Sequence, residues 1–253
     1  RIPLLEGVKT GGDDQPWQTK LGGSRWSASR EKAHKASVKI AADLGEMYGL
    51  RKVVKGFSNG PIGEMYREFE ASFGFEETPD QARAIEQVLA DMEKPEPMDR
   101  LVCGDVGFGK TEVAMRAAFR AALEGRQVAL LCPTTVLAEQ HYQTFRSRLS
   151  GFPVNIGMLS RFVPKHKQKE VLEGVKRGQI DILIGTHRLL SKDVQIPLLG
   201  LLILDEEQRF GVRHKERLKE MKKNVDALTL TATPIPRTLQ LSISGIRELS
   251  VIE

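Results

Sequence analysis

The chain has 253 residues, 40% of them hydrophobic, with 38 Lys+Arg against 33 Asp+Glu for a net charge of +5. That suffices for one large domain with or without an appendage, and the mild basic excess permits a polyanionic partner without requiring one. No apolar run reaches the roughly 18 residues of a membrane span, and no Cys/His spacing among the two cysteines and five histidines suggests zinc.

The opening Arg1-Ile2-Pro3-Leu4-Leu5-Glu6 is neither a signal peptide nor a natural initiator, which points to a piece of a longer chain. Residues 1–23 are rich in Gly, Asp, Pro and Gln and read as loop, with a turn at Leu21-Gly22-Gly23. Ser24 is placed to cap a long helix running to about Leu50, with Trp26, Ala33, Ala36, Ile40, Leu44 and Tyr48 spaced for one face. Arg25, Arg30, Lys32, Lys35 and Lys39 around it suit a solvated face, or a nucleic-acid or partner contact. The break from Gly56 to Gly63 marks a boundary between an arm at 1–60 and a main domain at 61–253. A short helix, Glu64 to Phe73, enters that domain.

Thr78-Pro79-Asp80-Gln81 has the form of a capping box, with Pro79 at the first helical position. That structural reading is sufficient by itself. The alternative is adenine recognition, in which the Gln81 amide meets the donor and acceptor of the base edge and Phe75 stacks on the ring. Next, Arg100 to Cys103 reads as a buried strand and Glu112 to Glu124 as a helix. Between them lies Gly104-Asp105-Val106-Gly107-Phe108-Gly109-Lys110-Thr111, which fits G-x-x-x-x-G-K-[ST], the phosphate-binding loop, in the context that motif requires. Its glycines let backbone N–H groups turn inward around an anion, and the helix start adds partial positive charge. Lys110 can reach the β- and γ-phosphates, and the Thr111 hydroxyl can ligate Mg²⁺.

From there strands alternate with helices. Strands are expected at Gln127–Cys132, Val154–Leu159, Ile180–Ile184, Leu201–Leu204, Ala227–Leu230 and Glu248–Ile252, and helices at Thr135–Leu149 and Pro164–Lys176. Alternation of this kind predicts an α/β fold, a parallel sheet with helices on both faces and ligands at the carboxyl ends of the strands. Cys103 and Cys132 fall in apolar strand-like runs, so reduced buried thiols and a cytoplasmic setting are expected.

Asp205-Glu206-Glu207-Gln208 directly follows the apolar Leu201–Leu204. Asp205 is placed to hold Mg²⁺ through water, and Glu206 to orient or deprotonate the attacking water. Thr231-Ala232-Thr233 follows another apolar strand, where Thr231 and Thr233 can bond Gln208 and couple the nucleotide site to a neighbouring surface. The Thr-Pro-Ile-Pro that continues it is otherwise simply a rigid loop.

These segments resemble motifs I, II and III of the superfamily 2 helicases. Thr78–Gln81 resembles the Q motif, which shifts the weight on Gln81 toward adenine. Pro133 to Gln140 looks like motif Ia, and Gly185-Thr186-His187-Arg188 like motif Ib. The phosphate loop, Asp205 to Val212 and Thr231 to Thr238 are most similar to the branch shared by RecG and the bacterial transcription-repair coupling factors. Arg213 to Lys219, and Lys20-Leu21-Gly22-Gly23 with Trp26, lean toward the coupling factors. The resemblance runs from about residue 20 to the end. It implies a P-loop NTPase lobe of RecA-like fold preceded by a helical arm that is the tail of a polymerase-interacting region. It also implies ATP and Mg²⁺ as cofactors, double-stranded DNA as track, and RNA polymerase and excision-repair proteins as partners through other parts. A second RecA-like lobe bearing the arginine finger would complete the motor. The resemblance gives Thr134, Thr135, Arg161, Thr186, His187 and Arg188 as DNA contacts, mainly to phosphates, with loop capping and surface solvation as the ordinary alternative. Gln208 departs from the His common in relatives, but its amide can still bond Thr231 or Thr233.

Overall fold

A computed structural model describes residues 55–233 and 247–253, together with Glu31. The expected turn at Leu21–Gly23, the helix from Ser24 to Leu50 with Trp26 (Glu31 apart), and Pro234 to Thr238 lie outside the described residues. Contacts divide the chain into two compact units, Arg1–Glu46 and Met47–Glu253. Within the second, the stretch before Glu64 is tied down locally. Gly56 N–H donates to the Pro95 carbonyl at 2.7 Å, and the Asn59 N–H and side-chain amide both donate to the Met92 carbonyl.

Helix α1 spans Glu64–Ala71 and buries Tyr66 and Phe69, three residues apart on one face. Helix α2 spans Pro79–Met92, and both halves of the capping box at Thr78 and Gln81 are present. Strand β1 (Asp99–Gly104) leads through the glycine loop into helix α3 (Lys110–Leu123). This helix starts two residues before the expected Glu112. Gly109, at φ 76°, serves as its N-cap, a backbone conformation glycine adopts at little cost. The chain continues through β2 (Gln127–Leu131), α4 (Thr135–Arg148), β3 (Ile156–Leu159), α5 (Lys165–Lys176) and β4 (Ile182–Gly185). Then come β5 (Leu199–Asp205), α6 (Val212–Lys222), β6 (Asp226–Thr231) and β7 (Glu248–Ile252), with single 3-10 turns at His187–Leu190 and Glu207–Arg209.

The seven strands form one parallel sheet in the order β3-β4-β2-β5-β6-β1-β7. The pleat divides each strand between two cores. Val128 and Leu130 of β2 face the side covered by α1, α2, α3 and α4, while Ala129 and Leu131 face the side covered by α5 and α6. The expected fold class is therefore realised.

The first face is also locked by charge. Arg116 on α3 is fully buried and donates to Glu112 at 2.8 Å, to Glu70 of α1 at 2.7 Å and to Glu77. Arg148 on α4 lies 4.1 Å over the Phe69 ring and donates to the Phe69 carbonyl. Removing one partner of such a buried pair costs about 3–5 kcal/mol, because the other charge is stranded. This cluster thus fastens α1 to the two helices that carry the phosphate loop and the motif Ia segment.

Candidate nucleotide-binding site and nucleic-acid interface

Cys103 at the end of β1 pairs in register with Thr231 of β6, and Leu230 of β6 pairs with Asp205 of β5. The three strands therefore end level. With neighbours about 4.8 Å apart, the ends of β1 and β5 stand about 10 Å apart, a gap that one triphosphate and its metal span. Charge converges there too. Burial pushes the Cys103 thiol up, Lys110 opposes this, and Asp105 and Glu206 add to it, so all three charges act on one strand end.

The loop itself is shaped for an anion. Gly107 and Gly109 both have positive φ, and a Cβ on Gly109 would stand 2.4 Å from Gln81 Nε2. Gly104 is closed against β7, where a Cβ would meet the Ile252 carbonyl at 2.7 Å. Lys110 Nζ donates to the Gly104 and Asp105 carbonyls at 2.6 and 2.7 Å, which holds the ammonium over the loop with a third donor to spare. Asp105, Val106 and Phe108 are exposed, while Lys110 and Thr111 are half-buried in the first turn of α3. The donor set of backbone amides, an ammonium, a hydroxyl and a facing carboxylate fits Mg²⁺·ATP.

Gln81 serves this loop directly. Its Nε2 donates to the Phe108 carbonyl at 3.0 Å while its Oε1 accepts from Thr78 N–H. The capping reading is thus observed. Phe75, 82% exposed and edge-on to Phe73 at 5.7 Å, offers an open ring beside that cap.

On the acidic side, Glu206 takes φ 53° and ψ 56°, and it is the sole non-glycine with positive φ among the described residues. Such a conformation costs on the order of 1 kcal/mol and is held by its surroundings. Glu206 accepts from the Ala232 N–H at 2.8 Å, from the Thr231 hydroxyl at 3.2 Å and from Gln208. Gln208 Nε2 also reaches the hydroxyls of Thr231 at 3.2 Å and Thr233 at 3.5 Å. The bonding expected between Gln208 and the two threonines is therefore present, with Glu206 at its centre.

The other half of the same sheet edge carries the expected DNA contacts. Leu159, Gly185 and Leu131 lie in register, so Arg161, His187 and Thr134 follow just past the ends of β3, β4 and β2. Thr134 is exposed and caps α4 by accepting from Leu137 N–H, and Thr135 opens the helix. Exposed Arg161 lies 5.0 Å over the ring of Phe162, itself 71% exposed. His187 is exposed and stacks on His214 of α6 at 5.5 Å. Arg188 is forked onto Asp193 at 2.8 and 2.6 Å, a bond that holds the Asp193 carboxyl below its usual range. A phosphate would have to compete with Asp193 for this guanidinium. Thr186 differs from these in its side chain. It is 1% exposed, and its buried hydroxyl meets no partner. A Cβ on Gly185 would stand 2.2 Å from the Leu159 carbonyl.

Residues 78–242 match the DEAD/DEAH box helicase family. The chain belongs to that family. It is 57% identical over 239 residues to the transcription-repair-coupling factor of Bacillus subtilis (strain 168), and 55% over 241 residues to that of Staphylococcus aureus (strain USA300). The matches cover 94% and 95% of this chain but only 20% and 21% of those relatives, so the chain spans about a fifth of their length. Among solved structures it is similar to RecG bound to a three-way DNA junction, with a TM-score of 0.68 and 34% identity over 83% of this chain and 30% of that one.

Two site neighbours of this helicase lobe escaped sequence reasoning. His141 Nε2 lies 3.0 Å from Asp205 Oδ2. Glu207, beside the catalytic candidate Glu206, turns away from it onto Lys222 at 3.0 Å and Arg247 at 3.7 Å. Burial would raise the Glu207 carboxyl, but those two cations outweigh it and hold it below the usual range. Among the described residues no helix is long and apolar enough to cross a membrane.

Proposed function

We propose that this chain is the first RecA-like lobe of an ATP-driven double-stranded DNA translocase that displaces stalled RNA polymerase and links transcription to excision repair in the cytoplasm. The observation that carries the reading is the division of one sheet edge. The ends of β1, β6 and β5 hold the phosphate loop and acidic motif, and the ends of β2, β4 and β3 hold capped hydroxyls and cations facing outward.

In this reading the amides of Gly104–Thr111 cradle the phosphates, and Lys110 moves its free donor onto the β- and γ-oxygens. Phe75 stacks on the adenine, and Gln81 reads its edge while tied to Phe108. Mg²⁺ would supply charge neutralisation at the transferring phosphoryl group, held by Thr111 and, through water, by Asp205. Glu206 orients the attacking water. Gln208, Thr231 and Thr233 report the state of that carboxylate to a second RecA-like lobe, whose arginine finger completes the site. Thr134, Thr135, Arg161, His187 and Arg188 engage phosphates, which makes the contact indifferent to sequence and sensitive to salt.

The likeness to RecG favours a second reading, a fork-remodelling helicase lobe. ATP hydrolysis, measured with and without duplex or forked DNA on residues 1–253 and on the full-length protein, tests both. We expect the isolated 253 residues to bind ATP and hydrolyse it barely, because an arginine finger accounts for a factor of about 10³–10⁵. The full-length protein should turn over and respond to plain duplex. Stimulation by forks alone would favour the RecG-like reading. A full-length protein that stays inert would leave a nucleotide-binding module without turnover.

A further inference from the structure

We propose that His141 is a positioning residue, the donor through which helix α4 holds Asp205 toward the metal. The inference rests on the nucleotide reading above and extends it to a residue on a different element. The hydrogen bond between His141 Nε2 and Asp205 Oδ2 is 3.0 Å long, and the two side chains are 11% and 14% exposed. A carboxylate oxygen only accepts, so Nε2 carries the proton. The ring is set edge-on against Phe145, 6.5 Å away on the next turn of the same helix. Cys132, the residue after β2, is buried beside them, its sulfur within 4.8 Å of both other ligand atoms. One Asp205 oxygen is thus fixed, and the other stands outside this hydrogen bond.

The position of His141 has a second consequence. It stands on the helix that Thr134 caps and Thr135 opens, two of the residues assigned to DNA. A shift of that helix on binding DNA reaches Asp205 through one hydrogen bond. Outer partners of metal-holding groups commonly change metal affinity or activity by about 10–100-fold when lost.

The test uses the full-length protein with His141→Phe, which keeps a ring against Phe145 without a donor, and His141→Gln, which restores a donor at similar reach. Mn²⁺ affinity in the presence of ATP is read by electron paramagnetic resonance, nucleotide affinity is read in EDTA, and the DNA stimulation of hydrolysis is measured alongside melting temperature. We expect His141→Phe to weaken Mn²⁺ about tenfold, to leave metal-free ATP affinity and melting temperature unchanged and to cut DNA stimulation, and His141→Gln to recover most of both losses. Wild-type Mn²⁺ affinity in His141→Phe, or a His141→Gln variant that folds yet recovers nothing, overturns the role of His141. Weakened metal with full DNA stimulation overturns the link through α4. A wild-type protein with no ATP-dependent Mn²⁺ binding overturns the nucleotide reading itself, and this inference with it.

Discussion

Lys110→Ala should abolish ATP turnover and weaken nucleotide binding by ten- to a hundredfold. The figure follows from one lost charge-assisted hydrogen bond to phosphate, on the order of 1.5–3 kcal/mol, at about 1.4 kcal/mol per decade of affinity. The ammonium is already set over the loop by the Gly104 and Asp105 carbonyls, so little ordering is required on binding, and its removal leaves nothing to replace it. Lys110→Arg should not rescue, since a planar fork does not fit where a compact point charge bonds two carbonyls and a phosphate at once. Titration calorimetry with Mg²⁺·ATP checks the binding, and melting curves check that the fold survives. Undiminished affinity in Lys110→Ala would mean the triphosphate sits elsewhere.

Glu206→Gln in the full-length protein should lower kcat by about 10²–10⁴, the usual worth of a positioned general base, while ATP affinity stays within a few-fold. The amide keeps an acceptor for Ala232 N–H, the 2.8 Å bond that anchors the side chain, so the site should hold its shape while losing the proton acceptor. Glu206 is also the residue held in the left-handed conformation and bonded to Thr231 and Gln208. It therefore sits where hydrolysis and the Thr231–Thr233 segment meet. Single-turnover kinetics separate the two effects. Loss of binding with unchanged turnover of bound ATP would assign Glu206 to holding nucleotide instead of activating water.

What could be read from the chain follows from how local each signal is. The phosphate loop and the Thr78 cap are contiguous patterns whose geometry is set within a few residues, and both appear where expected. So do the strands, because a parallel sheet covered on both faces needs continuous apolar runs such as Leu201–Leu204. Helix α6 gave no comparable signal. Its sequence is dominated by charge, with Leu218 in the core and Met221 packed against it. The order of the strands, and with it the division of the sheet edge, depends on crossovers that no local pattern encodes. Thr186 is named as a DNA contact by the resemblance alone, and its burial depends on packing that no neighbouring residue announces. His141 stands 64 residues from Asp205, so its meaning exists only once β2, α4 and β5 are packed.

The most direct test is a crystal of this protein grown with ADP, beryllium fluoride and Mn²⁺, with the metal located by its anomalous signal. The account predicts one strong peak at the end of β1, about 2.1 Å from Thr111 Oγ1 in the octahedral geometry that Mg²⁺ demands, with Asp205 facing it across an ordered water and Lys110 Nζ on the β- and γ-phosphate positions. A nucleotide bound away from the Gly104–Thr111 loop, or a metal that Asp205 does not approach, would contradict it.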